Sequence, residues 1–389
     1  MIRLPATSHI PDSPEALAEA LHEAQKAGEA VIVAGKGLRL DHGNLTAATR
    51  MILTTGLNRL VDHQPDDMTV TAEAGMTLWE LQRILADHGQ RLALDPPHPE
   101  LTTLGGLVAA NPDGPWRAAF GTTRDLLLGL TVASPAGNCF KSGSRVVKSV
   151  AGYDLPKLFT GSYGTLGAIA QVTFKVRPLP AATGSIRVTW TDRSELQAAW
   201  SALRQAPLEP TFFEVGADAS GAFLAMGFEG EPEAVSWQQE VFEKRIRTSC
   251  ERLGDSLRVV LGEHAHADGA PLLVKVGLPP AEAMDFLKAA PGLEGGARWT
   301  GHAANGILYG SFTAAEEWEV TEGRAQVEAL RAKAMERKGY LVVQRAPRTW
   351  KAGWDVWGPT RSDFPLMKAI KRAFDPQGTL APGRFVGGL

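Results

Sequence analysis

The sequence predicts an α+β protein in which short strands and amphipathic helices alternate along most of the chain. Three observations support this prediction. Apolar runs such as residues 30–33 and 69–72 are separated by segments with helical periodicity. The glycines are concentrated near the ends of predicted strands. Residues 177–180, Arg-Pro-Leu-Pro, separate a glycine-dense first part from a second part in which strands and helices alternate. We therefore expect two globular parts joined by a short linker.

In the first part, helix caps identify two helices. Ser13 and Pro14 are typical of a helix start, apolar residues recur at helical spacing through residues 17–24, and Gly28 ends the helix. Thr77 and Glu80 form a capping box that opens a second helix, which ends at Gly89. Strands are predicted at residues 30–33, 51–54, 69–72, 126–133, 146–147 and 169–176.

The second part alternates strands and helices in a manner typical of an antiparallel sheet with helices on one face. The predicted strands are residues 185–190, 211–215, 222–228, 272–276, 307–312 and 340–344. The predicted helices are residues 194–203, 235–253, 281–287, 324–337 and 363–374. We expect a first domain over residues 1–180 with subdomains of about 1–55 and 56–180, a second domain over 181–362, and a segment over 363–389 that returns to the first domain.

The composition excludes several classes of protein. The chain has 389 residues, of which 44% are hydrophobic and 21% charged, and its net charge is −3, so neither a disordered chain nor a basic nucleic-acid-binding protein is expected. Its two cysteines, Cys139 and Cys250, are too few for a disulfide scaffold, a four-cysteine zinc site or an iron–sulfur cluster held by this chain alone. We expect both thiols to be buried packing residues.

No segment of the sequence indicates a leader or a membrane span. Residues 1–14 lack a charged segment followed by an apolar one, and no apolar run approaches the ~20 residues that cross a bilayer. The expected location is the cytoplasm, with peripheral association at the inner face of the cytoplasmic membrane as an alternative.

The first glycine loop, residues 35–39, follows a predicted strand and could bind phosphate. Glycine permits positive φ and lets backbone N–H groups approach an anion closely. The loop is not a Rossmann fingerprint because Leu40 stands where the third glycine belongs, and no Gly-Lys-Ser/Thr follows as in a Walker A loop. A tight turn explains this single glycine pair equally well.

Four further segments give the glycines a specific order: residues 102–106, 121–125, 148–155 and 161–167. Over residues of about 10–180, this order resembles the FAD-binding domain of the vanillyl-alcohol-oxidase-like, or PCMH-type, flavoproteins. The sequence of residues 145–155, Arg-Val-Val-Lys-Ser-Val-Ala-Gly-Tyr-Asp-Leu, is similar to that of FAD-binding subunits of glycolate oxidases within the family. Residues 374–384, Phe-Asp-Pro-Gln-Gly-Thr-Leu-Ala-Pro-Gly-Arg, match the family's closing segment.

The resemblance implies a two-part PCMH-type FAD-binding domain, followed by a ferredoxin-like FAD-oxidase C-terminal domain with an antiparallel sheet and helices. It also implies that residues 35–39 contact the pyrophosphate, residues 97–106 run beside the flavin and pyrophosphate, and residues 161–169 help to hold the adenosine end. The cofactor-binding residues expected on this basis are Gly35, Lys36, Gly37, Leu38, Arg39, Pro97, Thr102, Thr103, Gly105, Gly106, Gly121, Asp125, Lys148, Gly152, Tyr153, Asp154, Gly161, Gly164, Thr165, Gly167, Ile169 and Arg384. Because residues 35–39 contain no histidine, we expect non-covalent FAD, and we expect the nearby His42 to lie in an exposed loop.

Two motifs of related 2-hydroxy-acid dehydrogenases are incomplete in this chain. In the relatives, a Gly-His-x-x-(Asn/Asp)-Gly-x-x-His stretch and a Glu-His-Gly stretch bind a divalent metal that orients the substrate. Residues 301–309 match the first stretch except that Tyr309 replaces its second histidine, and residues 341–347 contain no Glu-His pair. We therefore expect no metal site. His302 and Tyr309 are the candidate catalytic residues, although His302 could equally be a loop cap or a neutral hydrogen-bonding group beside the flavin.

The resemblance implies an FAD-binding subunit of a glycolate oxidase complex, which oxidises glycolate to glyoxylate and passes electrons by way of flavin to an iron–sulfur subunit. A catalytic flavoprotein subunit and the iron–sulfur subunit would be its partners, a small 2-hydroxy acid the substrate of the complex, and nucleic acid no partner. Two alternatives remain. One is a stand-alone, metal-independent FAD-dependent oxidoreductase of 2-hydroxy acids or alcohols that uses Tyr309 or His302 as base. The other is a structural subunit with little or no flavin.

Overall fold

The computed structural model describes residues 8–144, 153–254, 256–264, 269–289, 297–313, 315 and 318–389. The fold is α+β with antiparallel sheets and helices, as predicted. The strands are β1 (Ser8–His9), β2 (Val31–Ala34), β3 (Arg50–Leu53), β4 (Leu60–Gln64), β5 (Thr69–Glu73), β6 (Gln90–Arg91), β7 (Leu127–Ala133), β8 (Cys139–Gly143), β9 (Ala168–Lys175), β10 (Arg177–Pro178), β11 (Ala182–Trp190), β12 (Phe212–Asp218), β13 (Gly221–Gly230), β14 (Glu251–Leu253), β15 (Leu272–Gly277), β16 (Ala297–His302), β17 (Ile307–Phe312) and β18 (Tyr340–Arg345). The helices are α1 (Pro14–Lys26), α2 (Leu78–Ala86), α3 (Leu104–Ala110), α4 (Arg117–Phe120), α5 (Thr123–Leu126), α6 (Leu155–Phe159), α7 (Glu195–Arg204), α8 (Pro232–Ile246), α9 (Ser256–His264), α10 (Pro280–Lys288), α11 (Val320–Glu336), α12 (Arg348–Lys351) and α13 (Phe364–Phe374).

A small parallel sheet with the order β1-β3-β2 begins the first part. Helix α1 starts where predicted, because the Ser13 side chain accepts a hydrogen bond from the Ala16 N–H at 3.2 Å and Pro14 occupies the first helical position. The apolar face of α1, with Leu17 and Leu21, packs on this sheet and on alanines of β7 and β9. This packing fixes the end of β2, from which the first glycine loop departs.

An antiparallel sheet with the order β4-β5-β9-β7-β8 forms the rest of the first part. The predicted capping box is present at the start of α2, where Glu80 Oε2 accepts the Thr77 N–H at 2.9 Å. Helices α2 and α3 bury their apolar side chains against this sheet. The predicted strand at residues 146–147 lies outside the described residues.

Residues 104–110 form helix α3, which was not predicted from the sequence. Thr103 caps this helix by accepting a hydrogen bond from the Gly106 N–H at 3.3 Å. Gly105 is required by packing, because a Cβ there would lie 2.9 Å from the Ala74 Cβ. A close contact between helix and strand, rather than a turn, therefore explains why position 105 is glycine.

The second part is built on one eight-stranded antiparallel sheet with the order β14-β11-β13-β12-β16-β17-β15-β18. Its large apolar core includes Trp200, Phe242 and Trp299. The predicted helix over residues 235–253 is too long: α8 ends at Ile246, Arg247 adopts the left-handed conformation with φ 56°, and β14 follows at the sheet edge. Strand β8 and helix α9 were also not predicted.

The chain returns to the first part after α13. Leu380 forms a parallel bridge with Val31, whose N–H donates to the Thr379 carbonyl at 2.7 Å. The two parts are also joined by Arg91, which donates to the Glu229 carboxylate at 2.8 Å. These contacts place the C-terminal segment beside the first glycine loop.

Cys139 and Cys250 are half-buried, whereas the sequence predicts that both thiols are buried. Burial raises the pKa of each thiol.

Within the described ranges, every helix is too short or too polar to cross a bilayer.

Candidate functional site

An open cleft of about 720 Å³ lies where the first glycine loop, the start of α3, the turn before β9 and the C-terminal segment meet. Twelve of the residues predicted to bind the cofactor line it: Gly35, Lys36, Gly37, Leu38, Arg39, Thr103, Gly105, Gly106, Gly164, Gly167, Ile169 and Arg384.

Close packing between the first loop and α3 explains the glycine at position 35. A Cβ at Gly35 would lie 2.1 Å from Thr103 Oγ1, so any side chain there would displace the helix cap. Gly37 has φ +80°, a conformation that side-chain-bearing residues rarely adopt. The loop therefore lies directly against the N-terminal turn of α3, and its backbone borders the cleft.

Three cationic side chains lie at the cleft. Burial lowers the pKa of Arg39 to about 10, which leaves the guanidinium charged at neutral pH. Arg384 is also buried, and its guanidinium donates to the Arg39 carbonyl at 2.8 Å and to the His42 carbonyl at 3.2 Å. Lys36 donates to the Glu100 carbonyl at 3.1 Å. His42 itself is buried, which contradicts the exposed loop expected from the sequence, because Arg384 closes over its backbone.

This arrangement fits a flavin dinucleotide. The glycine backbone leaves room for a pyrophosphate, and Arg39 and Arg384 supply charge to balance it. The apolar wall formed by Val33, Leu101 and Ala109 suits a flat aromatic ring.

Other residues predicted to bind the cofactor do not line the cleft but make hydrogen bonds next to it. Thr102 Oγ1 accepts hydrogen bonds from both terminal nitrogens of Arg39 at 3.3 Å and donates to the Pro97 carbonyl at 3.2 Å. Gly161 donates its N–H to the Val108 carbonyl of α3 at 2.9 Å, and Thr165 donates to the Ser162 carbonyl at 2.7 Å. Thr102 thus holds Arg39, which lines the cleft, and Gly161 and Thr165 make hydrogen bonds close to it. Direct contact of these residues with the cofactor stays a prediction.

The remaining predicted residues lie elsewhere. Asp125 caps α5 by accepting the Thr122 N–H at 2.8 Å, and Gly121 precedes that cap. The Tyr153 side chain is 93% exposed, and Asp154 caps α6. Lys148 and Gly152 are outside the described residues. A role for any of these in cofactor binding is still only a prediction.

Sequence reasoning missed Tyr163, which lines the cleft with a positive φ of 53°. Its ring packs on Trp357 at a centroid distance of 4.9 Å, and burial raises the pKa of its phenol. The Gly-Ser-Tyr-Gly turn contained the signal, but only the fold brings this tyrosine beside Arg39 and Arg384.

The catalytic candidates lie on one polar face of the large sheet. His302 is opposite Glu214 in the β16–β12 pairing, and Tyr309 is opposite Lys275 in the β17–β15 pairing. The Glu214 carboxylate is 2.8 Å from His302 Nδ1, while His302 Nε2 is buried without a hydrogen-bond partner. Burial acts to lower the pKa of His302, but Glu214, Asp113 and Asp95 together outweigh burial and raise the pKa above its ordinary value.

Tyr309 is hydrogen-bonded to a carboxylate of the first part. Its hydroxyl donates to Asp113 Oδ2 at 3.0 Å, and Lys275 and Arg117 also bind that carboxylate. Burial and the charge of Asp113 raise the pKa of Tyr309 well above its ordinary value. Tyr309 also lies near enough to Arg39 to influence its pKa, which places this polar face beside the cleft.

Among the described residues, no three His, Cys, Asp or Glu side chains are grouped so that they could hold a metal ion. Tyr309 occupies the sequence position of the second histidine in the related motif, and its hydroxyl donates a hydrogen bond to Asp113. Residues 341–345 belong to β18 and contain no Glu-His pair.

A second buried carboxylate, Asp95, joins the two parts. The Asp95 side chain is 6% exposed, accepts the Trp116 N–H at 3.0 Å and pairs with Arg258 of α9 at 3.2 Å. Burial raises the pKa of Asp95 to about 7 despite these partners. The folded protein therefore retains a proton on Asp95 at pH values where the unfolded chain has lost it.

The pH dependence of stability should reveal this group. Because the pKa is raised on folding, its contribution is fully present below pH 3.8 and is lost as the pH rises to about 7. Relative to Asp95→Asn, the wild-type free energy of unfolding should fall by about 1.4 kcal/mol per pH unit between pH 4 and 7. Urea denaturation of both proteins at several pH values measures this difference, and parallel curves would contradict it.

The comparisons with known proteins identify the first part. Residues 5–143 match a family model described as an FAD binding domain. The chain is 38% identical over 152 residues to glycolate oxidase subunit GlcE of Escherichia coli, a match that covers 39% of this chain and 42% of that protein. It is 25% identical over 394 residues to glycolate oxidase subunit GlcD of Bacillus subtilis, covering 91% of this chain and 83% of that one.

A solved structure shows the same fold. An alkyldihydroxyacetonephosphate synthase superposes with a TM-score of 0.72 over 97% of this chain and 77% of its own, at 18% sequence identity. The cleft described above is built largely by the residues that match the family model. Residues 5–143 are therefore similar to an FAD binding domain, and the chain has FAD as its cofactor and is an FAD-dependent oxidoreductase.

Proposed function

We propose that this chain is the FAD-binding subunit of a complex that oxidises glycolate to glyoxylate. In this proposal a partner flavoprotein subunit carries out the oxidation, and the flavin of this chain relays electrons to an iron–sulfur partner. The names of the two glycolate oxidase subunits that the chain resembles support the proposal. Such a complex would lie in the cytoplasm, with membrane contact only through its partners.

One observation carries the proposal: a well-formed cofactor cleft lies beside a polar face that has Tyr309 where a metal-binding histidine is expected. A phenol whose pKa is raised well above 10 and that already donates to Asp113 is a poor proton acceptor. It is also a poor ligand for a divalent metal in this protonated state. The described residues form a cleft that can hold a flavin, whereas Tyr309 supplies neither a metal ligand nor a base for a 2-hydroxy acid.

The residues of the chain have definable tasks toward the cofactor. When bound, FAD supplies the capacity to accept and release electrons. The first glycine loop and the start of α3 would bind its pyrophosphate, since both border the cleft with backbone groups. Arg39 and Arg384 would balance the phosphate charge, and their buried setting strengthens that attraction. Tyr163 would pack beside the cofactor and exclude water from it.

The stand-alone alternative depends on His302. Its unpartnered Nε2 could accept a proton, and Glu214 would stabilise the resulting imidazolium. This observation keeps a metal-independent oxidoreductase as the second candidate. It predicts turnover by the chain alone, which the relay proposal does not.

The experiment that tests the proposal uses the complex. The chain is co-expressed with its candidate partner subunits, with Gly106→Leu introduced to fill the cleft, and glycolate-dependent dye reduction is measured. A relay requires that activity falls about tenfold or more while the subunits still co-purify. Full activity from a complex with the blocked cleft would instead support a structural subunit and contradict the relay.

A further inference from the structure

A carboxylate of the first part is enclosed by cations of both parts. Asp113 lies in the loop between α3 and α4, and its side chain is fully buried. Arg117 of α4 and Lys275 of β15 form ion pairs with it, and the Tyr309 hydroxyl of β17 donates to it at 3.0 Å. Two cations and one phenol thus converge on a single carboxylate.

The receptor groups on the sheet are positioned independently of Asp113. Lys275 and Tyr309 face each other across the neighbouring strands β15 and β17, so the sheet itself holds them on one face. An arginine, a lysine and a hydroxyl around one carboxylate are groups that proteins use to bind the carboxylate of a small acid. The Asp113 side chain satisfies these groups from within the chain.

The electrostatics agree with this geometry. Burial acts to raise the pKa of Asp113, but the charges of Lys275 and Arg117 outweigh it and hold the pKa well below its ordinary value. Lys275 is itself buried, and Asp113 raises its pKa. The surroundings would therefore attract another carboxylate strongly if Asp113 were absent.

A narrow pocket adjoins the carboxylate. It is lined by Asp113, Arg117 and Asp95 of the first part. Gly114 packs so tightly that a Cβ there would lie 2.1 Å from the Asp95 carbonyl, so the loop is held in place without help from the Asp113 side chain. Shortening Asp113 should therefore open the site without moving the loop.

We propose that Arg117, Lys275 and Tyr309 form a binding site for a small monocarboxylate, which the side chain of Asp113 occupies. In the wild-type protein the site does not bind a free monocarboxylate, because the Asp113 carboxylate already occupies it. This inference is separate from the proposed electron relay, and acetate binding does not depend on the relay.

Acetate as the probe tests the inference on the FAD-loaded full chain. Melting temperatures of wild type and Asp113→Ala are measured while acetate replaces chloride at constant ionic strength. Asp113→Ala should melt lower in chloride and gain roughly 3–6 °C at acetate concentrations about 100-fold above its dissociation constant. Wild type, and the surface control Glu251→Ala, which releases the exposed Arg187, should show no saturable gain.

Two further measurements make the result decisive. Acetamide, a neutral isostere, should not stabilise Asp113→Ala, and adding Lys275→Met should remove the acetate effect. If Asp113→Ala does not fold in chloride, refolding in acetate should recover it. The inference is overturned if acetate gives no more than chloride or acetamide, if wild type responds equally, or if acetate does not rescue a misfolded variant.

Discussion

Leucine at position 106 should strongly weaken FAD binding while the chain remains folded. Gly106 lies in the first turn of α3 and lines the cleft, and a Cβ there would meet only Thr103 Oγ1 at 3.1 Å. The remainder of the side chain would therefore project into the cleft and occupy volume needed by the cofactor. Leucine also favours helix over glycine by about 0.5–1 kcal/mol, so the fold should tolerate it. We expect at least about a tenfold weaker affinity for FAD, measured by flavin fluorescence titration.

The matched control is Gly254→Leu. A Cβ at Gly254 has no neighbour within 4 Å, and this residue follows β14 at the far edge of the large sheet. The control should keep its flavin content and melting temperature. Equal flavin affinity in Gly106→Leu and wild type would show that the cleft is not the cofactor site.

Alanine at Asp375 should destabilise the protein by about 3–5 kcal/mol, because it breaks a buried ion pair and leaves the partner charge unpaired. The fully buried Asp375 carboxylate accepts from Lys371 at 2.6 Å and from the Thr379 and Leu380 N–H groups at 2.9 and 2.8 Å. These contacts anchor the segment that carries Arg384 to the cleft. Urea denaturation should show the loss of stability, and flavin affinity should fall with it.

Two variants control for this prediction. Lys371→Met combined with Asp375→Ala removes both charges and should recover part of the stability, since no unpaired ammonium remains. Glu243→Ala removes one partner of the exposed pair with Arg252 and should leave the denaturation midpoint nearly unchanged. The account of the closing segment is wrong if Asp375→Ala behaves like Glu243→Ala.

Local signals in the sequence predicted much of the fold. The caps at Ser13 and Thr77 depend on contacts a few residues apart, and β2 and β5 are indicated by their own apolar residues. The structure contains each of these elements. Helix α3 was missed because two adjacent glycines suggest a turn, whereas the tight contact of Gly105 with Ala74 comes from a neighbouring strand. Strand β14 was missed because it is only three residues long, Glu-Arg-Leu, and has no apolar run to indicate a strand.

The same distinction applies to the site. The glycine pattern predicted most of the residues that line the cleft, because the pattern itself encodes close backbone approach. Asp113 and Asp95 had no such signal. Asp113 lies in a Pro-Asp-Gly sequence and Asp95 precedes a proline, and both contexts are typical of turns and loops. Only the docking of the large sheet on the first part buries these carboxylates against Lys275 and Arg258.

The central claim is that this chain holds FAD without oxidising a 2-hydroxy acid by itself. Its most direct test is an anaerobic titration of the purified, FAD-loaded chain with glycolate, followed by dithionite, while the flavin absorbance is recorded with and without added divalent metal. We expect the flavin to stay oxidised with glycolate under both conditions and to be bleached by dithionite. Bleaching by glycolate alone would show that the chain is a complete enzyme and would contradict the claim.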